Sequence, residues 1–177
     1  MPLSLKDLRQ IPVNELALQL SGRKDIDVAD TLQQVEGWQR MREKVPSWAA
    51  VEGLRFPHRL ALEQCSGETA ARYKADVVRR LIDAAEEPTS MADLTGGFGV
   101  DFSFVARNFT RATYVERQEA LCTLARHNFP LLGLPQAEVV CADGTDYLRT
   151  MAPVDLLFLD PARRDAAGRK TVMIADC

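Results

Sequence analysis

The sequence predicts an α/β protein in which a doubly wound parallel sheet follows a helical lead-in, and three observations predict it. Apolar residues over roughly the first 85 positions recur at helical spacing. Beyond them, short apolar runs alternate with helical patterns, the order of repeated β-α-β units. The last clear apolar run, Val154 to Leu159, is interrupted only at Asp155 and ends at Asp160-Pro161, which predicts a strand largely buried on both faces. The 177 residues are 46% hydrophobic and 27% charged, a globular composition that argues against disordered, collagen-like and coiled-coil chains. No apolar stretch approaches the roughly 20 residues of a membrane span. The N-terminus, with Lys6, Asp7 and Arg9, lacks the apolar block of a signal peptide, so a cytoplasmic location is expected.

Pro12 suits a first helical turn and Gly22 a stop, which predicts a helix over 12–21. Asp27 caps a second helix over 28–44, where Val28, Leu32, Val35 and Trp38 form one apolar stripe ending before Pro46. Residues 45–62, with Pro46, Gly53 and Pro57, read as a connector containing one short strand. Ser66 then opens a helix by capping the amides of Glu68 or Thr69, and Ala70, Tyr73, Val77, Val78 and Leu81 carry its pattern to about Ala85. A break at Pro88-Thr89-Ser90 divides the chain into a helical region, 1–87, and a sheet domain, 88–177. In the second part the order is a strand at 91–94, a glycine-rich turn, a helix near 101–108, a strand at 112–116, a helix near 118–129 and strands at 137–142 and 154–159. Val172 to Ala175 is a candidate fifth strand. Right-handed crossovers make this a Rossmann-like sheet. Ending at Cys177 leaves an edge of that sheet uncovered, which predicts that further strands belong to the fold.

Lys and Arg number 22 against 25 Asp and Glu, a formal charge of −3, so no global basic field gathers nucleic acid and only a local stripe could do so. Cys65, Cys122, Cys141 and Cys177 form no Cys-x-x-Cys pair and, with only His58 and His127, no zinc-site spacing. They read as reduced thiols, and no metal is expected.

The strongest motif is DLTGGFGVD, from Asp93 to Asp101, lying between a strand and a helix. Gly96, Gly97 and Gly99 let the backbone turn sharply and approach a ligand, with Thr95 and Phe98 in the same turn. Phe102 stands where a dinucleotide fingerprint needs its third glycine, and no Gly-Lys-Ser/Thr follows, which disfavours NAD and excludes a Walker loop. Asp93 at the strand end would repel a pyrophosphate but suits a cationic ligand, such as the ammonium and sulfonium of S-adenosylmethionine. Glu116, followed by Arg117, ends the next strand at about the spacing where Rossmann-like units place a carboxylate on ribose hydroxyls. Asp143, before Gly144, ends the third and could accept from an adenine amino group. Each acid has a structural alternative: Asp93 or Asp101 as a helix cap, Glu116 in a surface ion pair, Asp143 in an Asx turn. Their joint place at the carboxyl ends of consecutive strands favours a site. At Asp160-Pro161 the proline directs the chain out of the sheet, so Asp160 could accept from a substrate amine and orient it, or simply end the strand in a turn.

In order and spacing, these residues resemble the class I S-adenosylmethionine-dependent methyltransferases over about 90–164. More narrowly, LALEQCSGETAARYK (60–74), DLTGGFGVD (93–101) and LDPARRD (159–165) are similar to a bacterial methyltransferase family that carries a THUMP-like domain after its catalytic domain. The resemblance implies a class I methyltransferase core, S-adenosylmethionine as cofactor and, by analogy with THUMP-bearing enzymes, RNA as substrate. It places Asp160 and Pro161 at the catalytic loop, with Arg163 where many amino-directed enzymes carry an aromatic, so a guanidinium stacking on a base or pairing with phosphate would replace it. It also implies that the helix start closes the cofactor pocket, with Gln64, Ser66 and Thr69 as hydrogen-bonding groups and Arg72 or Lys74 on the methionine carboxylate; helix capping and a solvated basic face are the alternative. Arg163, Arg164, Arg169 and Lys170 against Asp165 give a local charge of 4 − 1 = +3, a candidate phosphate contact. A non-catalytic S-adenosylmethionine-binding module, or a methyltransferase for a small molecule or protein, are the other readings.

Overall fold

The computed structural model describes residues 5–82 and 89–161. Arg163, Arg164, Arg169 and Lys170, the candidate strand 172–175, Cys177, and the expected helix end at Ala85 with its Pro88 break lie outside them.

Helices α1 (Leu5–Leu8), α2 (Val13–Gln19) and α3 (Val28–Lys44) form the lead-in. Asp27 caps α3 as its position requires, its side chain accepting from the Asp30 amide. The expected stripe faces inward: Val35 is fully buried and Val28 and Leu32 pack beside it, against Leu8, Leu16 and Leu20.

The connector differs from expectation. It holds two short helices, α4 (Pro46–Ala49) and α5 (Arg59–Gln64), and no strand. Pro46 sits at the start of α4, where its fixed φ seeds a turn and its missing N–H costs nothing. The extended residues between the helices are paired, but with side-chain amides. Gln34 bonds the N–H and C=O of Phe56 at 2.8 and 3.2 Å, and Asn128 those of Arg55 at 3.0 and 2.9 Å. Lys44 donates to the carbonyls of Leu62 and Glu63, satisfying the end of α5.

Helix α6 (Glu68–Ile82) begins two residues after Ser66, which does not cap it: the Ser66 hydroxyl donates to Asp101 and accepts from Lys74 instead of from a helix amide. Its buried face keeps Val78 of the expected stripe but is otherwise turned from it. Ala71 and Val78 are buried, with Ala75 and Ile82 beside them, whereas Tyr73 and Leu81 are 68% and 65% exposed. The 3.6-residue repeat fits both registers, and packing against the sheet domain selects the one built from small residues.

Strands β1 (Ser90–Asp93), β2 (Arg111–Glu116), β3 (Ala137–Cys141) and β4 (Leu156–Phe158) form one parallel sheet in the order β3-β2-β1-β4. Between them run α7 (Val100–Val105) with a 3-10 turn (Ala106–Asn108), α8 (Glu119–Leu131) and α9 (Gly144–Thr150). Alternation divides the sheet: Met91, Ala112 and Tyr114 join the core with α6, α7 and α8, and Ala92, Val115 and Val140 pack with Tyr147 and Met151 on the other face. β4 is less covered than its apolar sequence predicts, with Leu157 39% and Leu159 55% exposed, because it is one of the two edge strands of the described sheet. Asp155, the one polar residue in that run, accepts from the Thr89 and Ser90 amides and the Ser90 hydroxyl, tying the start of β4 to that of β1.

Candidate functional site

Strand order reverses at β1, which has β2 on one side and β4 on the other, and open α/β sheets take ligands outside the carboxyl ends of the strands at such a point. Asp93 ends β1 there. It is 2% exposed, and its Oδ1 accepts from the Thr95 amide at 2.8 Å and the Thr95 hydroxyl at 3.1 Å. Burial, reinforced by the charges of Asp101 and Asp160, outweighs these donors and pushes the Asp93 carboxyl up to about 7. Thr95 Oγ1 accepts in turn from the Asp160 amide at 2.7 Å, so hydrogen bonds run from the loop after β4 through Thr95 to the end of β1. Pro161 follows Asp160 within the described chain; Arg163 lies outside it.

The other wall comes from α6 and α7. Asp101, in the first turn of α7, accepts through Oδ2 from Ser66 Oγ (2.7 Å) and Lys74 Nζ (2.8 Å). Its Oδ1 is buried without a donor among the described residues. Lys74 also donates to Ser66 Oγ (3.1 Å) and Asp160 Oδ2 (3.0 Å). Burial opposes the Lys74 charge, but the hydrogen bonds to Asp101 and Asp160 prevail and raise it above the ordinary lysine value.

The glycine turn is fixed largely from β2. A Cβ on Gly96 would stand 2.3 Å from the Tyr114 ring, and one on Gly99, at φ +83°, 2.9 Å from Phe129, so these two glycines admit aromatic rings. Gly97 differs: at φ +56° it needs glycine for its backbone, and a Cβ there would meet only the Thr95 carbonyl at 3.8 Å, leaving an open cradle. Its N–H donates to Glu116 Oε2 (2.9 Å) and its carbonyl accepts from the Tyr114 hydroxyl. Glu116 Oε1 accepts from the Gln118 amide at 2.8 Å, so both oxygens of this buried carboxylate are oriented by backbone. Phe98 turns away into the core, edge-on to Trp48 at 5.0 Å, so its side chain does not line the site. Asp143 lies two residues past β3 and takes the capping role, accepting from the Thr145 and Asp146 amides at 2.9 and 3.3 Å, bonds that hold its carboxyl below the ordinary value. Gly144 is glycine because a Cβ would stand 2.3 Å from the Leu94 carbonyl. Arg117 is exposed at the end of β2.

The upstream segment is brought in only in part. Ser66 and Lys74 reach the site, whereas Gln64 and Thr69 are exposed and take no part in its hydrogen bonds among the described residues. Arg72 is spent on Glu68 and the face of Phe104. Tyr114 was not foreseen, although the two-residue period of a strand puts it on the same side as Glu116. A cleft lined by Ser90, Arg111, Thr113, Gln136, Glu138 and Pro153 opens at the opposite, amino-terminal ends of the strands, away from the acids. At the switch point, Asp101 and Asp160 share the ammonium of Lys74, and the charges of both carboxylates reach Asp93. This excess of carboxylate, the unsatisfied Asp101 Oδ1 and the open Gly97 fit a cationic ligand.

No family model and no curated protein matches the chain. Among solved structures it is similar to a candidate methyltransferase of Porphyromonas gingivalis W83, 34% identical with a TM-score of 0.73, over 90% of this chain and 39% of that one. It is also similar to a candidate class I S-adenosylmethionine-dependent methyltransferase of Listeria monocytogenes (15% identity, TM-score 0.54, 88% of this chain and 58% of that one). A candidate RNA methyltransferase of Pyrococcus horikoshii matches at 21% identity and TM-score 0.52, over 73% of this chain and 62% of its own. The chain thus spans about two-fifths of the Porphyromonas protein and about three-fifths of the other two.

Proposed function

From the class I methyltransferase fold of this chain, we propose that it is the donor-binding core of an S-adenosylmethionine-dependent methyltransferase acting on RNA. One observation carries the reading: Asp93, Glu116, Asp143 and Asp160 stand at or just past the carboxyl ends of four adjacent parallel strands, around a glycine turn at the switch point. S-adenosylmethionine supplies a methyl group that its sulfonium already makes electrophilic, so the protein's work is binding and alignment. Asp93, ionised, and Asp101 receive the ammonium. The backbone from Thr95 to Gly99 follows the methionine part over the open Gly97. Glu116, held by the Gly97 and Gln118 amides, accepts from the ribose hydroxyls. Asp143, with Arg117 and Gly144 beside it, borders the adenine end. Asp160 accepts from the substrate group to be methylated and Pro161 sets the direction of the loop. Arg163, outside the described residues, supplies the base or phosphate contact.

RNA is favoured by the motif likeness to the family with a THUMP-like domain and by the +3 cluster after Pro161. Among the described residues no helix is long and apolar enough to cross a membrane and no group of metal ligands occurs. The free Cys65, Cys122 and Cys141 accord with a cytoplasmic setting.

Calorimetry with S-adenosylmethionine tests the donor site. Transfer of labelled methyl to total RNA, against protein and metabolite pools, tests the substrate. Transfer confined to another pool replaces RNA, and binding without transfer to any pool favours a non-catalytic module. Asp160→Ala should lower transfer by about a hundredfold or more and leave donor affinity largely intact; wild-type turnover in that variant removes Asp160 from the mechanism.

A further inference from the structure

Lys74 joins three elements. From α6 its Nζ reaches Ser66 before the helix, Asp101 on α7 and Asp160 after β4, and it lies 5.7 Å from the centroid of Phe158 at the end of β4. An ammonium has three N–H donors and no acceptor capacity. The three oxygens use that set completely, and no proton is left over for a carboxylate of the methyl donor. The Ser66 hydroxyl closes the arrangement by accepting from Lys74 and donating to Asp101.

Asp160 gains most from this. Its side chain is 60% exposed, on a loop, where a carboxylate would otherwise sample many rotamers. Two anchors limit it: its amide is held by Thr95, and its Oδ2 by a lysine that is only 31% exposed and so less screened than a surface cation. Oδ1 is left without a partner among the described residues. We propose that Lys74 is a positioning residue, which braces Asp160 against Asp101 and presents Asp160 Oδ1 to the substrate group that accepts the methyl, and that it does not bind the donor. The proposal rests on the methyl-transfer reading above.

The test compares wild type with Lys74→Met, which keeps the apolar stem and removes the charge, and Lys74→Arg, whose forked donors can still bridge two carboxylates. Calorimetry with S-adenosylmethionine should give dissociation constants within about fivefold of one another, where a lost charge-assisted bond to the donor would cost tenfold or more. Hydrogen exchange of the peptide covering 156–161 should speed up about tenfold in Lys74→Met and return towards wild type in Lys74→Arg. Asp160→Asn, which leaves α6 untouched, should reproduce the faster exchange. Exchange that stays at the wild-type rate in Lys74→Met and Asp160→Asn, or a loss of donor affinity beyond fivefold in Lys74→Met, overturns the proposal. Absence of donor binding by the wild type sinks the methyl-transfer reading instead, and the exchange measurements still decide the brace.

Discussion

At the scale of single residues, Asp93 sets the pH behaviour of the site. Its carboxyl is pushed up to about 7 by burial, from 3.8 in an unfolded chain. Only the ionised form attracts an ammonium, so S-adenosylmethionine affinity should rise as pH increases through about 7, and calorimetry from pH 5.5 to 8.5 should show the rise. Asp93→Asn should bind more weakly and lose this dependence. Stability moves the other way. Between 3.8 and about 7 the native state keeps a proton that the unfolded chain has released, so the contribution of Asp93 falls as pH rises through that window and is constant above it. Urea midpoints of Asp93→Asn minus wild type should therefore grow from pH 5 to pH 8, and a difference independent of pH would contradict the shift. The sequence indicated the acids because each ends an apolar run, a local property. For Asp143 it offered the Asx turn that the Thr145 amide forms, but it did not indicate that Lys74 meets Asp101 and Asp160, since those partners lie 27 and 86 positions away and periodicity is blind to such distances.

At the scale of elements, the turn between β1 and α7 combines two kinds of glycine that look alike in the sequence. Gly96→Ala would drive a methyl into Tyr114, whose ring is packed edge-on against Phe102 and Phe129 at 5.5 and 5.2 Å and cannot retreat. This should cost roughly 1–3 kcal/mol of fold stability by overpacking. Gly97→Ala meets open space and pays only for its left-handed backbone, about 1–2 kcal/mol, while placing a methyl in the cradle assigned to the donor. Thermal unfolding and S-adenosylmethionine titration of the two variants should separate them: Gly97→Ala should lose donor affinity out of proportion to its stability, and Gly96→Ala chiefly stability. Equal effects on both would remove the distinction. The strands, α3, α7 and α8 were legible because apolar period and turn residues agree there. The apolar face of α6 was legible only at Val78, because Ala70, Tyr73, Val77, Val78 and Leu81 make as good a helical stripe as Ala71, Ala75, Val78 and Ile82, and only tertiary packing chooses between them. The segment 45–62 misled for a related reason: residues 55 and 56 bond to the Asn128 and Gln34 side chains, which leave no repeating pattern.

At the scale of the whole molecule, the end of α3 and the residues after it share one core with the sheet, while α1, α2 and the start of α3 close a smaller cluster of their own. Met41, Val45, Trp48 and Phe56 cluster with Phe98, Phe102, Tyr114 and Phe129, and Trp48 also donates to Ser103 on α7 at 3.2 Å. Phe98 is the hinge of this arrangement: it leaves the glycine turn and packs between Trp48 and Phe56, at 5.0 and 6.5 Å. Anything that stabilises the turn should therefore stabilise the helices that precede it. Both tryptophans, Trp38 and Trp48, lie in the lead-in, so fluorescence reports on that region, while far-UV circular dichroism reports on all the helices and strands. The two signals should give one coincident urea transition. Phe98→Ala should move it by about 3–5 kcal/mol, the usual cost of emptying a buried aromatic site. S-adenosylmethionine at a hundredfold excess over its dissociation constant should raise the stability seen by tryptophan fluorescence by about 2.7 kcal/mol, although the donor would touch neither tryptophan. A fluorescence midpoint that ignores the donor while the dichroism midpoint responds would show that lead-in and sheet unfold separately, and that the shared core does not couple them.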